Sequence, residues 1–252
     1  MCTVLLLSRP DDPWPLLVAA NRDERLDRAF DPPGRYWPDA PGIVAGRDAL
    51  GGGSWFGVND DGVVATIVNG MDRLGPLPGK TSRGNLVLQA LRESSARAAA
   101  NAIGSLDAGG YRGFTLIVAD RGGAYAVTSD ERALRVHALA PGHHMVTPDG
   151  LNVPWSPRYA THFAAFRAAA PPDPARDAWT SWTELLRHAD EDDPHRAMTV
   201  VTEHQFGTVC SALVALPAAP AEPVLLFANG APTRAPYERI TAPWLRGASV
   251  KG

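Results

Sequence analysis

The sequence predicts an α+β fold in which helices pack on antiparallel sheets. Two hairpins support this prediction, because each has a Gly- and Asp-containing turn between two runs of strand-forming residues. The turns are residues 59–62 and 120–123, and the strands predicted beside them are residues 55–58, 63–69, 114–119 and 124–128. Helical patterns fall between the strand pairs and do not alternate with single strands, which argues against a βαβ repeat.

Further strands are predicted at both ends of the chain. A short aliphatic run at residues 2–8 is followed, after a turn-rich segment, by a second run at 16–20. Late strands are expected at 208–216 and 224–227. The Pro- and Gly-rich residues 31–42 favour a long surface loop.

Three helix starts are indicated by capping residues. Ser82 precedes a stripe of buried aliphatic residues, and Ser156 followed by Pro157 is typical of a helix start. Ser181 with Glu184 forms a capping-box pattern. The apolar residues that follow each start are expected to face the core.

Length and composition predict one ordinary globular domain. The 252 residues are 45% hydrophobic and 20% charged, and no repeat or linker divides them. We therefore expect a single domain over residues 1–252.

Charge and cysteine content exclude several classes of protein. The net charge is −3 and the Arg residues are dispersed, so nucleic acid is not an expected partner. No apolar run approaches the ~20 residues of a membrane-spanning helix, and residues 4–7 are too short for a signal peptide. Two cysteines do not make a disulfide framework. A cytoplasmic location is expected, and no pattern predicts the oligomeric state.

Cys2 is the first candidate for chemistry. Its small side chain permits removal of Met1, which would leave a cysteine with a free α-amine at the start of the chain. The α-amine has an unperturbed pKa of roughly 8, so it suits a general base near neutral pH beside the thiol. The alternative is a small apolar residue that begins a buried strand.

A polar cluster at residues 21–25 supplies the second candidate set. Asp23 could hold an α-amine, and Arg22 could favour a thiolate. The alternative is a salt-bridged surface turn. Neighbouring residues on a regular strand point to opposite faces, so both reach one site only if the strand has ended.

Asn69 is the third candidate, because an Asn side chain at a strand end can donate to a developing oxyanion. The Asn69-Gly70 pair is equally typical of a turn. No cofactor or metal is predicted. His143 and His144 would diverge on a strand, and the Gly-rich stretches lack the context of a phosphate loop.

Together these pieces resemble the NRDE-motif family (transport and Golgi organisation protein 2), from the first residues to about Tyr237. The most specific part is Asn-Arg-Asp-Glu at 21–24 and Gly-Gly-Ser-Trp at 52–55, in that order behind Met-Cys. Further shared pieces are Ser-Arg-Gly at 82–84, Gly-Phe at 113–114, Pro-Trp at 154–155 and Phe-Gly-Thr at 206–208.

The resemblance implies the four-layer αββα sandwich of the N-terminal nucleophile hydrolases, which include cysteine acylases. It implies that Cys2 is the nucleophile after Met1 removal, that Asp23 holds the α-amine, and that Asn69 serves the oxyanion hole. Arg22 would replace an acylase arginine whose position Ala20 occupies. The substrate-binding residues implied are Asn21, Trp55 and Asn152.

Two departures from the family pattern bear on activity. An asparagine of the family is replaced near Pro148 or displaced to Asn152, and Val209 stands where the family has an arginine. A charged donor lost from such a site commonly costs a few kcal/mol of transition-state stabilisation.

Three functional hypotheses follow. The first is a cysteine-type amidohydrolase or acyltransferase that acts on a small amide or acyl compound. The second is a non-catalytic binding or carrier protein, since the resemblance also implies roles in haem or in acyl-CoA and lipid homeostasis. The third is a scaffold that shares only the fold.

Overall fold

Two antiparallel sheets of seven strands each form the centre of the computed structural model, counted over the residues that it describes: 2–71, 73, 75–202, 205–218 and 222–241. The strands in chain order are β1 (Thr3–Ser8), β2 (Leu16–Arg25), β3 (Phe30–Gly34), β4 (Ile43–Asp48), β5 (Phe56–Asn59), β6 (Val64–Asn69), β7 (Phe114–Asp120), β8 (Gly123–Ser129), β9 (Leu134–Leu139), β10 (Gly142–Thr147), β11 (Gly150–Leu151), β12 (Phe206–Leu216), β13 (Val224–Ala228) and β14 (Glu238–Arg239). The α-helices are α1 (Gly84–Ala90), α2 (Ala96–Gly104), α3 (Pro157–Ala168) and α4 (Thr180–Arg187).

The strand orders place both chain-terminal hairpins in one sheet. The first sheet runs β11-β10-β1-β2-β12-β13-β14, and the second runs β3-β4-β5-β6-β7-β8-β9. The second sheet is a simple meander, because each of its strands pairs with the next along the chain. Strands β1 and β2 lie near the centre of the first sheet. Because β2 lies between β1 and the long strand β12, only one strand separates the start of the chain from β12.

The layers are helix, sheet, sheet and helix. Side chains from the facing sides of the two sheets share one core, for example Val4 and Val18 with Val58 and Val64. Helices α1 and α2 cover the outer face of the second sheet, and α3 and α4 cover the outer face of the first. The predicted α+β class and αββα layering are confirmed. The extent of the single domain stays a prediction, because residues after 241 lie outside the described part.

A bulge in β12 sets the register at the polar end of β2. Arg22 pairs with Cys210 and Asp23 pairs with Thr208, so Val209 is the extra residue between them. In a regular strand, residues 208 and 210 would face the same side. The bulge lets Thr208 face the outer side while Cys210 stays in the core between the sheets.

The predicted hairpins are confirmed, and the strands at 208–216 and 224–227 are present as β12 and β13. The loop predicted at residues 31–42 is wrong in part, because it contains most of β3. Two consecutive prolines argued against a strand there. β3 lies at the edge of the second sheet, where a missing backbone donor leaves no inner ladder bond unmade.

The helix starts are confirmed at one of three sites in the predicted form. Helix α3 begins at Pro157 directly after Ser156. The capping box at Ser181 is wrong, since α4 begins at Thr180 and the Ser181 hydroxyl donates to Ala170 O at 2.6 Å. Ser82 lies one residue before the cap of α1, and its Oγ accepts from Gly84 N at 3.3 Å.

Candidate active site

A cavity of about 260 Å³ opens where the start of β1 meets the second sheet. Five of the residues that the sequence singled out line it: Cys2, Arg22, Asp23, Trp55 and Asn69. The first three come from the first sheet and the last two from the second. A large part of the remaining wall is formed by residues between Gly75 and Gly84, where the chain leads into α1.

Cys2 lies immediately before β1 and is partly exposed to the cavity. Its Sγ is 3.7 Å from the backbone oxygen of Asp23. Burial raises the pKa of the Cys2 thiol, and the charge of Arg22 acts in the opposite direction. The thiol is therefore the resting form, and a reaction at Sγ requires a nearby base.

Arg22 is held on the inner face of the first sheet. Its guanidinium lies 4.2 Å from the centre of the Trp55 ring, and Nη2 donates to Asp48 Oδ2 at 3.2 Å. Its side chain is only 5% exposed, and Nη1 has no hydrogen-bond partner within the described part of the chain. Stacking on an aromatic ring and a carboxylate contact fix the planar group firmly.

Asp23 points to the outer face, towards α3. Its Oδ1 accepts a hydrogen bond from Thr208 Oγ1 at 2.6 Å, and its Oδ2 lies 3.6 Å from Nη1 of Arg158. Within the described residues, Oδ2 has no hydrogen-bond partner. Burial raises the pKa of Asp23, while Arg158 and Thr208 lower it.

The side chains of Arg22 and Asp23 therefore point to opposite faces of a continuing strand. β2 runs to Arg25, so the polar cluster lies within the strand and not beyond its end. Thr3 pairs with Asn21, which places Cys2 beside Arg22 at the point where β1 begins.

Arg158 is a site residue that the sequence reasoning missed. It is 2% exposed, and it donates to Thr3 Oγ1 at 2.7 Å and to Pro194 O at 3.1 Å. The sequence pattern that could have identified Arg158 as buried is its spacing on α3. Arg158, His162 and Phe166 follow one another at intervals of about one turn and form one buried stripe. A buried arginine requires a partner, and here it is Asp23.

Asn69 is the last residue of β6 and is partly exposed in the cavity. In the next residue, Gly70, the carbonyl oxygen accepts from Arg73 N at 3.0 Å as in a turn, while Gly70 N donates to Gly113 O at 3.0 Å beside the neighbouring strand β7. Asn69 therefore lies both at the end of a strand and next to a turn, which are the two structural features that the sequence predicts for it. Its oxyanion role stays a prediction.

Two predicted substrate-binding residues do not belong to the described lining of this cavity. The Asn21 amide donates to Leu186 O at 3.0 Å and to Met198 O at 2.8 Å, on the outer face of the sheet. Asn152 lies in the β10–β11 hairpin, where its Oδ1 accepts from Met145 N at 2.9 Å. Both side chains make hydrogen bonds within the fold, and their role in substrate binding stays a prediction.

The departures from the family pattern occupy structural positions. Val209 packs in the core between the sheets, and Pro148 O accepts from Met71 N at 2.9 Å.

Cys210 is 1% exposed, and burial raises its pKa far above the ordinary value. Both cysteines are free. Within the described ranges, no group of three His, Cys, Asp or Glu side chains is placed to hold a metal.

The Gly-Gly-Ser-Trp segment joins the cavity wall to the start of α1. A Cβ on Gly53 would lie 2.6 Å from the carbonyl carbon of Gly84, so the two backbones touch only because position 53 is glycine. Ser54 N donates to Gly84 O at 3.1 Å across this contact. The contact holds Arg83, the residue before Gly84, at the cavity.

No helix in the described part of the chain has the length and apolar character that a membrane-spanning helix requires.

Comparison with known proteins agrees with this architecture. The sequence model of the family described as Transport and Golgi organisation 2 matches residues 1–217. A search of curated proteins found no match to the sequence.

Among solved structures, the fold is similar to those of three proteins that are named as an acylase, an amidase and a hydrolase. Penicillin V acylase from Agrobacterium tumefaciens is 12% identical, with a TM-score of 0.54 over 90% of this chain and 83% of that one. The Caenorhabditis elegans N-acylethanolamine-hydrolyzing acid amidase orthologue is 13% identical, with a TM-score of 0.57 over 87% and 94%. A C2A mutant of conjugated bile acid hydrolase from Clostridium perfringens is 11% identical, with a TM-score of 0.51 over 95% and 96%. All three have the N-terminal nucleophile hydrolase fold, and at these identities the likeness establishes the fold alone.

Proposed function

Because the chain belongs to the Transport and Golgi organisation 2 family, on an N-terminal nucleophile hydrolase fold, we propose that it is a cysteine-dependent amidohydrolase or acyltransferase. Its substrate would be a small amide or acyl compound, and Cys2 would be the nucleophile once Met1 is removed. Met1 itself lies outside the described residues. The observation that supports the proposal best is the buried carboxylate of Asp23, whose charge acts on the Cys2 thiol and whose Oδ2 has no hydrogen-bond partner among the described residues.

The proposed base is the α-amine of Cys2. The thiol holds its proton at rest because burial raises its pKa, so attack requires that the proton leave Sγ as the new bond forms. The α-amine takes this proton and becomes an ammonium group. Asp23 Oδ2 accepts a hydrogen bond from that ammonium, and Arg158 and Thr208 hold the carboxylate in place.

Attack by Sγ on the carbonyl carbon forms a tetrahedral intermediate with a negative oxygen. The side chains available to donate to that oxygen are the Asn69 amide and Arg22 Nη1, which has no other hydrogen-bond partner among the described residues. Cleavage of the C–N bond leaves a thioester on Cys2, and the departing amine takes the proton from the ammonium. Water or another acceptor then attacks the thioester and gives its proton to the α-amine; as the C–S bond breaks, the acyl product leaves and the ammonium returns that proton to Sγ.

An activated ester tests this proposal without knowledge of the natural substrate. Purified protein is treated with p-nitrophenyl octanoate, and its peptides are analysed by mass for an octanoyl group. We expect acylation of the N-terminal peptide in the wild type and in Cys210→Ala, and none in Cys2→Ala. Equal release of p-nitrophenol by wild type and Cys2→Ala, with no adduct at Cys2, would contradict the proposal.

A binding or carrier function is the second candidate, and the position of Val209 favours it. The family arginine is replaced there by an apolar residue that packs in the core, so a cation is absent from that position. Titration of the Cys2→Ala variant with haem and with octanoyl-CoA, followed by absorbance and thermal shift, tests binding apart from turnover. Tight binding together with an unreactive Cys2 in the wild type would support the carrier function.

A further inference from the structure

The candidate active site is more cationic than the protein as a whole. Among the described residues that line the cavity, five are basic and three are acidic. The basic residues are Arg22, Arg28, Lys80, Arg83 and Arg112, and the acidic ones are Asp23, Glu24 and Asp48. Five minus three gives a formal charge of +2, whereas the whole chain carries −3. A concave site of one sign concentrates ligands of the opposite sign.

The three carboxylates are already neutralised by neighbours on one side of the cavity. Asp48 lies 2.7 Å from Arg28 and 3.2 Å from Arg22, and Glu24 lies 3.7 Å from the same Arg28. Asp23 faces the outer layer and Arg158. None of these three carboxylates is therefore left to balance Arg83 on the opposite wall, where Lys80 is already paired with Glu131 at 3.5 Å.

Arg83 is the cation of that opposite wall whose charge is least balanced. Its Nη1 donates to the backbone oxygen of Gly113 at 3.0 Å, and no carboxylate of the described chain lies within 4.0 Å of it. Burial lowers its pKa to about 10, and the neighbouring charge of Arg112 acts in the same direction. Arg83 is therefore still charged at neutral pH. Its half-buried position beside the charge of Arg112 makes this charged form less favourable in the free protein.

The rest of the cavity offers an apolar surface. Trp55, Ile67, Pro76 and Leu77 are the large apolar residues of its lining. Transfer of an apolar group from water to this surface is favourable. Arg83 and Arg112 are suited to bind a planar or tetrahedral anion.

We propose that the ligand of this cavity is an amphipathic anion, an acyl compound with a carboxylate or phosphate group that Arg83 binds with the support of Arg112. Its acyl part lies along Trp55 and Ile67, which directs its carbonyl towards Cys2. The inference deepens the proposed function, since it specifies the substrate of the same site. It concerns binding alone, so it can hold even if no bond is cleaved.

Matched ligands that differ in charge test the proposal. On the Cys2→Ala background, which removes turnover, calorimetry compares N-octanoylglycine with the neutral N-octanoylglycinamide and with octyl phosphate. We expect at least one of the two anions to bind about tenfold more tightly than the neutral amide, a difference of about 1.4 kcal/mol, because hydrogen bonds between charged groups are stronger than neutral ones. Preference for N-octanoylglycine identifies a carboxylate as the anionic group, and preference for octyl phosphate identifies a phosphate.

Variants of Arg83 assign the preference to this residue. Arg83→Gln should reduce the preference to about twofold or less, and Arg83→Lys should keep most of it. Arg92→Gln is the control, because Arg92 pairs with Asp39 outside this cavity. Thermal melts verify that each variant is folded. Equal binding of anionic and neutral ligands by the parent protein, or a preference that survives Arg83→Gln, would overturn the proposal.

The result is independent of catalysis. Preferential binding of an anion with no acylation of Cys2 by p-nitrophenyl octanoate would leave this inference standing and reject the hydrolase. Acylation of Cys2 with no preference among the ligands would do the reverse.

Discussion

The carboxylate of Asp23 and the guanidinium of Arg158 lie 3.6 Å apart with side chains 0% and 2% exposed. They come from β2 and from the first turn of α3, so the contact joins the first sheet to its covering helix. Arg158 also binds Thr3, the residue after Cys2. One buried arginine thus links the start of the chain, the acidic residue beside it and the outer helical layer.

Replacement of Arg158 should destabilise the protein strongly. Arg158→Met keeps much of the side-chain volume but leaves the buried carboxylate of Asp23 without a cation. Removal of one partner of a buried pair typically costs about 3–5 kcal/mol. Urea unfolding at pH 7 should show a loss of that order in the free energy of unfolding.

The matched control for this change is Arg25→Met. Arg25 forms an ion pair with Asp27, but both side chains are more than half exposed, and such pairs contribute little. We expect almost no change in stability for this variant. A loss for Arg158→Met no larger than that of the control would show that Arg158 does not stabilise Asp23.

The Asp48 carboxylate should make stability depend on pH. Burial alone would raise its pKa, but the hydrogen bond from Arg28 and the amide of Gly51 outweigh burial and hold the pKa below its ordinary value. A group whose pKa is lower in the folded state stabilises that state above its unfolded pKa, which is about 3.9 for Asp. This contribution is lost as pH falls through the folded-state value.

Comparison of wild type with Asp48→Asn measures this contribution. The wild type should be the more stable of the two at pH 6–8, and the difference between their free energies of unfolding should shrink as pH falls below about 4. Urea unfolding at pH 7, 5 and 3.5 provides the series. A difference that stays constant or grows towards acid would contradict the assignment.

The contact between Gly53 and Gly84 should tolerate no side chain. Gly53→Ala would bring a Cβ to 2.6 Å from the Gly84 carbonyl carbon, so the start of α1 must move, and Arg83 with it. Forcing an extra methyl into a packed site commonly costs about 1–3 kcal/mol. Thermal unfolding should show this loss, and binding of N-octanoylglycine should weaken in parallel.

Gly51→Ala is the control for this prediction. Its added Cβ would meet no atom closer than 3.5 Å, although the residue belongs to the same glycine-rich segment. The control should keep both its stability and its affinity. Equal behaviour of the two variants would show that the Gly53–Gly84 contact does not position the cavity wall.

The parts of the fold that the sequence predicted are those with local signals. The turns at 59–62 and 120–123 specify their hairpins through residues that sit next to one another in the chain. β3 was missed because its two prolines indicate a loop unless the strand is known to be at a sheet edge. Edge position depends on the whole sheet and cannot be obtained from that segment alone.

The candidate site likewise contains residues that local motifs identify and residues that only the fold reveals. The family motifs identified five residues that the fold brings to one cavity, although their roles stay predictions. Asn21 was assigned to the substrate, but strand alternation places it on the same outer face as Asp23, where it binds the end of α4. Arg158 was missed because its contact with Thr3 spans 155 positions of the chain, which no local pattern reveals.

Whether Cys2 becomes an N-terminal, reactive cysteine is tested by the intact mass of the purified protein before and after brief treatment with iodoacetamide at pH 7. We expect a mass without Met1 and one rapid adduct, which is absent in Cys2→Ala, because Cys210 is buried and burial raises its pKa. Alanine at position 2 also permits removal of Met1, so the two proteins differ only at the thiol. A mass that retains Met1, or labelling of Cys2→Ala as fast as that of the wild type, would contradict the account.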